Sequence, residues 1–142
     1  MTDPVFIDTS VLLASEDGAR PNERQQVLAW LQQLWAERTG RLSTQVLQDF
    51  YLTATRRLTP PMPQGDARAE VRRYQHWQPW APDQATVESA WSLESRFGLA
   101  FADALIVAAA KAQGCTRLLS LALPHDAQFD SVQVLNPLHT AP

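Results

Sequence analysis

The sequence predicts a single α/β domain built on a mostly parallel sheet. Short β-compatible runs stand near both ends of the chain, at Val5 to Asp8, Arg117 to Ser120 and Val132 to Leu135. Most of the chain between them has apolar residues at helical spacing. Strands that enclose helices in this way are typical of parallel sheets joined by helical crossovers. The length of 142 residues suits one domain of this kind.

The N-terminal part of the chain predicts a buried strand followed by an amphipathic helix. Val5 to Asp8 is an apolar run closed by an acid, without the alternation of a half-exposed strand, so both of its faces are expected to be covered. Pro21 stands where a helix would begin, and Gly40 ends the helical pattern that follows it.

A second strand and a second helix are predicted next. Leu42 is expected to open a very short strand, after which Ser43 or Thr44 caps a helix. Asp49 lies outside the apolar face of this helix. The prolines that follow Thr59 end it.

Three more helices are predicted before the C-terminal strands. Gln64 to Trp77 reads as an arginine-rich solvated helix, and Asp83 caps a helix that Gly98 ends. Leu99 to Ala110 is an apolar helix with a single charged residue. The tryptophans expected to be exposed are Trp77 and Trp80.

Composition restricts the class of protein. The net charge of −3 gives the whole molecule no strong attraction for nucleic acid, so any such binding must be local. No apolar run approaches the roughly 20 residues that span a bilayer, and the N-terminus lacks the basic start of a secretory signal. We therefore expect a cytoplasmic protein without a membrane partner.

Three acids are the candidate catalytic and metal-binding residues. Asp103 is the only charged side chain between Leu99 and Ala110, and a buried carboxylate is costly unless a partner or metal ion neutralises it. Asp8 stands in a similar setting at the end of the first strand. Together with Asp49, these acids could meet at the carboxyl edge of a parallel sheet. Such a cluster suits Mg²⁺ or Mn²⁺ and the hydrolysis of a phosphodiester.

Each acid also has a structural explanation. Asp8 could cap a helix, Asp103 could neutralise a helix N-terminus, and Asp49 could be an ordinary solvated residue. A receiver-like phosphotransfer domain would also place acids at strand ends, but it needs a lysine partner, and Lys111 is the only lysine in the chain. The combination of the three acids is therefore the argument for a site.

Three segments together resemble the successive motifs of PIN domains, in particular those of VapC-like toxins. They are Phe6 to Leu12, Ser43 to Tyr51 and Phe101 to Ala110. The resemblance covers nearly the whole chain in order, and its C-terminal part includes Leu118 to Ser120.

The resemblance implies a Rossmann-like three-layer α/β/α sandwich and an endoribonuclease that depends on Mg²⁺ or Mn²⁺. It also implies an RNA substrate, with transfer RNA as one candidate, a homodimer, and a cognate VapB-like antitoxin. Asp8 and Asp103 match acids of the family directly. Asp49 stands where the family usually has Glu, which keeps the charge but shortens its reach by one methylene.

The sequence departs from the family after Ser120. VapC-like proteins typically continue with Glu-Asp-Leu, whereas this chain has Leu121 and Ala122, so the fourth acid is missing at Ala122. Asp126 and Asp130 are the candidates to replace it. We expect weakened nuclease activity, and the alternative is a degenerate PIN domain that binds RNA or a protein without cutting.

Overall fold

A computed structural model describes residues 3–142. Its five strands form one sheet in the order β2-β1-β3-β5-β4. All neighbouring strands are parallel except β4, which is antiparallel to β5. The strands are β1 Val5–Ile7, β2 Gly40–Arg41, β3 Arg117–Leu119, β4 Gln128–Phe129 and β5 Val132–Leu135.

Within the described residues, six α-helices accompany the sheet, so the predicted three-layer α/β/α sandwich is confirmed. Helix α1 packs against both α2 and α3, and α3 packs against α4. Helix α6 packs against α5 and against strands β3 and β5. The helices are α1 Thr9–Glu16, α2 Pro21–Glu37, α3 Thr44–Arg57, α4 Gln64–Arg73, α5 Gln84–Phe97 and α6 Phe101–Ala112.

Local capping signals account for most of the helix ends. The hydroxyl of Ser43 accepts a hydrogen bond from the backbone N–H of Val46 at the start of α3, and Asp83 caps α5 in the same way. Gly98 ends α5 with a φ of 67°, a left-handed conformation that glycine adopts without strain. These ends agree with the sequence prediction.

Several predicted elements require correction. Helix α1 was not predicted, because its eight residues make only two turns and show little periodicity. Strand β2 lies just before Leu42 rather than opening at it, and β4 was not predicted because it has only two residues. The helix predicted from Gln64 to Trp77 ends at Arg73 and continues as a 3₁₀ turn over Tyr74–Trp77.

The tryptophan prediction is also wrong. Trp77 is buried, with its ring near those of Trp35 and Tyr74, and Trp80 is partly buried. The indole of Trp80 donates a hydrogen bond to Thr86. The exposed tryptophan is Trp91 on α5. The aromatic cluster forms between α2 and the 3₁₀ turn, which are distant in sequence, so local spacing could not reveal it.

The core lies on both sides of the short central strands. Val5, Phe6 and Ile7 of β1 and Leu118 and Leu119 of β3 are all buried. Continuous burial is expected when helices cover both faces of a parallel sheet. Because β1 and β3 are parallel, their carboxyl ends lie at one edge of the sheet, where Asp8 and Ser120 are the first polar side chains. Within residues 3–142, no helix is both long enough and apolar enough to cross a membrane.

Candidate active site

Asp8 directly follows β1 and is the N-cap of α1. Its Oδ1 accepts the backbone N–H of Ser10 at 3.0 Å and the Ser10 hydroxyl, and its Oδ2 accepts the Ser120 hydroxyl. The residue is buried, and burial raises the pKa of its carboxyl, while the hydrogen bonds from Ser10 and Ser120 act to lower it. Asp8 thus does have the capping role considered from the sequence. The hydroxyls also hold the carboxylate in one orientation.

Ser120 is a site residue that the sequence analysis did not single out. Besides donating to Asp8, its hydroxyl accepts the backbone N–H groups of Ala122 at 3.0 Å and Leu123 at 2.9 Å. Its position as the last residue of the predicted strand Arg117 to Ser120 is the signal that could have identified it. Ser120 therefore connects the loop after β3 to the buried acid.

Ser10 makes a similar connection from the other side of Asp8. Its hydroxyl donates to Oδ1 of Asp8 and accepts the backbone N–H of Leu121 at 2.9 Å. Together, the two serines connect Leu121 and Ala122, where the fourth acid is missing, to the buried Asp8.

Asp103 lies in the first turn of α6. The sequence predicted that it would be buried, and this is wrong, because Asp103 is only half-buried and Phe101 and Ala102 before it are exposed. The apolar run starts at the exposed end of the helix, and the buried residues begin at Ala104. Asp103 can therefore be solvated and does not require a partner.

Asp49 lies on the exposed side of α3, and partial burial raises the pKa of its carboxyl. Gln45, one helical turn earlier, donates a hydrogen bond to the backbone carbonyl of Ala102 at 3.0 Å. This contact joins the first turns of α3 and α6 next to Asp103. The fold therefore brings the helices that carry Asp49 and Asp103 together.

The donor chemistry fits a hard cation bound through few protein ligands. Within residues 3–142, no group of three or more His, Cys, Asp or Glu side chains could hold a metal ion. An all-protein metal cage is therefore not preformed in the described chain. Mg²⁺, however, is usually held by one or two carboxylates together with waters and substrate phosphates. Asp8, Asp49 and Asp103 do not form a preformed three-acid group in the described chain, and only Asp8 directly follows a strand of the sheet.

Asp130, one of the two candidate replacements for the fourth acid, is engaged by basic side chains. Asp130 accepts a bidentate pair of hydrogen bonds from Arg96, both at 2.7 Å, and a third from Lys111 at 2.8 Å. These partners hold the pKa of Asp130 well below its usual range. Asp126 accepts from Gln133 at 3.2 Å. Lys111, which a phosphotransfer site would need as a cation, is thus also engaged elsewhere.

Comparison with protein families and solved structures assigns the chain to a family. The family model for the PIN domain matches residues 5–135. A comparison with curated proteins gives no match.

Two solved structures share the fold. One is the Mycobacterium tuberculosis VapC20 toxin, described as cleaving the sarcin–ricin loop, with 23% identity and a TM-score of 0.64. The alignment covers 91% of this chain and 98% of that one. The other is FitAB bound to an IR36 DNA fragment, with 20% identity, a TM-score of 0.67, and coverage of 97% of this chain and 98% of that one. Since the PIN family model spans all five strands and all six helices, the chain belongs to the PIN domain family.

Proposed function

We propose that this protein is a metal-dependent endoribonuclease of the VapC type. The observation that carries the proposal is the buried Asp8, held by two serine hydroxyls at the carboxyl edge of the sheet. The contact between Gln45 and Ala102 beside Asp103 adds support. PIN-domain membership and the fold shared with an RNA-cleaving toxin point to the same chemistry.

Asp8, Asp49 and Asp103 are the proposed donors for Mg²⁺ or Mn²⁺. Since no three-acid group is preformed within residues 3–142, waters and substrate phosphates would have to complete the coordination of the cation. When bound, such a cation activates water and stabilises negative charge on a phosphate. Ser10 and Ser120 hold the Asp8 carboxylate in one orientation. The low solvent exposure of Asp8 would strengthen its electrostatic interaction with a bound cation.

Reduced activity is part of the proposal. Ala122 is exposed and carries no oxygen ligand, and Asp130 is occupied by Arg96 and Lys111. A site with fewer carboxylates attracts a divalent cation less strongly. We therefore expect a requirement for high metal concentration.

The test is cleavage of total transfer RNA and of a panel of structured RNAs with Mg²⁺ or Mn²⁺. We expect the wild type to cleave, a chelator to stop cleavage, and Asp8→Asn to abolish it. Asp130→Asn is the matched control, since it removes an equivalent charge outside the site and should leave cleavage intact. Unchanged cleavage by Asp8→Asn would refute the assignment.

The second candidate function is a PIN domain that binds RNA or a protein without cutting. Leu121 and Ala122 favour it, as does the lack of a three-acid group within residues 3–142. Ala122→Asp separates the two candidates. A gain of metal-dependent cleavage would identify a damaged nuclease, whereas an inert variant that still binds RNA would support the binding function.

We further propose a homodimer and a VapB-like antitoxin as partners. Four large apolar side chains are exposed by 38 to 47%, and they are candidate contacts for a second copy. They are Leu52, Trp91, Phe97 and Phe101. Light scattering coupled to size-exclusion chromatography tests the dimer, which should dissociate when Trp91 is changed to Glu.

A further inference from the structure

We infer that the groove between α3 and α4 binds a single-stranded segment of RNA beside the candidate active site. The groove has a volume of about 500 Å³ and a floor formed by Leu47 and Val71. This inference rests on the proposed function for its biological role, but its test does not require cleavage.

Charge is the first argument for RNA. None of the residues that line the groove is acidic, although the protein as a whole carries a net charge of −3. Arg68 and Arg72, one turn apart on α4, both line the groove. Among residues 3–142, neither takes part in an ion pair, so both guanidinium groups are available to phosphates.

The acids of α4 lie on the opposite side of the helix. Glu70 pairs with Arg73 at 2.9 Å, and the Arg73 guanidinium lies over the ring of Trp35. Asp66 precedes Arg68 by two residues and Glu70 precedes Arg72 by two, which is about 200° of rotation around the helix. The side of α4 that lines the groove therefore carries Arg68 and Arg72, whereas Asp66 and Glu70 lie on the other side of the helix.

An aromatic surface is the second argument. The guanidinium of Arg68 lies over the ring of Tyr51, with 5.8 Å between its central carbon and the ring centroid. Single-stranded nucleic acids bind grooves in which cations track the backbone and aromatic rings or guanidinium planes stack against bases. Thr44, Gln48 and Gln75 add neutral hydrogen-bonding groups. This combination suits an RNA strand better than a purely apolar peptide.

Position is the third argument. Gln48 lines the groove, and Asp49 is the next residue along α3. A helix is about 10 Å wide, so a strand in the groove needs to cross only this helix to bring a phosphate to Asp49. The groove is therefore placed to position the substrate of the candidate nuclease.

The test measures RNA binding in the presence of a chelator, so that no metal-dependent cleavage occurs. The probe is a fluorescently labelled single-stranded RNA of 12 nucleotides, and the dissociation constant is measured over a range of salt concentrations. Arg68→Gln combined with Arg72→Gln should reduce the slope of log Kd against log salt by about 1.4, since each lost contact to a single strand contributes about 0.7.

The matched control combines Arg38→Gln with Arg117→Gln. These arginines flank the amino ends of β2 and β3, at the edge of the sheet opposite Asp8. The control double variant has the same net charge as the groove double variant. It should keep the wild-type slope. An equal loss in both double variants, an unchanged slope in the groove variant, or no RNA binding by the wild type would overturn the inference.

Substitutions at Tyr51 test the stacking surface separately. Tyr51→Leu should weaken binding at least about fivefold with an unchanged salt slope, because base–aromatic stacking is lost while the charges stay. Tyr51→Phe keeps the ring and should bind like the wild type. Equal binding by the Leu and Phe variants would refute stacking on Tyr51. If groove binding is found but the RNA is not cut with metal, only the nuclease proposal fails.

Discussion

Ser120→Ala is the substitution that most directly tests how the candidate site is built. The Ser120 hydroxyl is completely buried, donates to the Asp8 carboxylate, and accepts the N–H groups of Ala122 and Leu123. Alanine removes the donor to Oδ2 of Asp8, whose Oδ1 keeps its hydrogen bonds from Ser10, and leaves the two N–H groups without an acceptor. The variant therefore loses three hydrogen bonds but almost no volume.

The size of the effect follows from those contacts. A hydrogen bond to a charged group contributes about 1.5 to 3 kcal/mol, and a buried N–H without an acceptor costs about 1 to 3 kcal/mol. The N–H of Leu123 is buried, so the loss of its acceptor carries this cost. The N–H of the exposed Ala122 can bind water instead, so the loss of its acceptor costs little. We expect the free energy of unfolding to fall by about 3 to 5 kcal/mol at neutral pH, a large share of a typical domain's stability.

The loss should also depend on pH. The hydrogen bond from Ser120 lowers the pKa of Asp8 against the larger effect of burial, so its removal raises that pKa further. A folded-state pKa above the unfolded value means that the folded state binds the proton more strongly, so stability rises as pH falls through the folded pKa. The deficit of Ser120→Ala should therefore be largest above the pKa of Asp8 and shrink toward acid.

Urea unfolding of the wild type and Ser120→Ala at several pH values between about 4 and 8 measures both effects. Ser95→Ala is the control, since Ser95 is an exposed serine on α5. A deficit below about 1 kcal/mol at neutral pH, or one that does not change with pH, would contradict the role assigned to Ser120.

Two further predictions concern packing and charge outside the site. Gly40→Ala should destabilise the protein by about 1 to 3 kcal/mol in thermal or urea unfolding, because a Cβ there would lie 2.5 Å from the buried ring of Trp77. Gly65→Ala, where the added Cβ meets nothing within 4 Å, should be neutral or slightly stabilising. Asp130→Asn should lower stability modestly at neutral pH. Since the pKa of Asp130 is lowered in the folded state, the difference from the wild type should shrink as pH falls below 4, and an undiminished difference there would contradict the pairing with Arg96.

The sequence by itself determined the fold class and several helix ends. Ser43, Asp83 and Gly98 act on backbone groups within a few residues, so their effect can be predicted without tertiary structure. It also identified Asp8, Asp49 and Asp103 as candidates, from the contrast between each acid and its neighbours and from the family resemblance. Their function remains a proposal.

Only the tertiary structure decided which groups surround those acids. Ser120 contacts Asp8 across 112 residues of sequence, and Arg96 and Lys111 engage Asp130 from two different helices. Arg68 and Arg72 on α4 likewise come to line a groove only because α3 packs beside that helix. Local signals act over a few residues, whereas these contacts depend on how the strands are ordered and how the helices cross them.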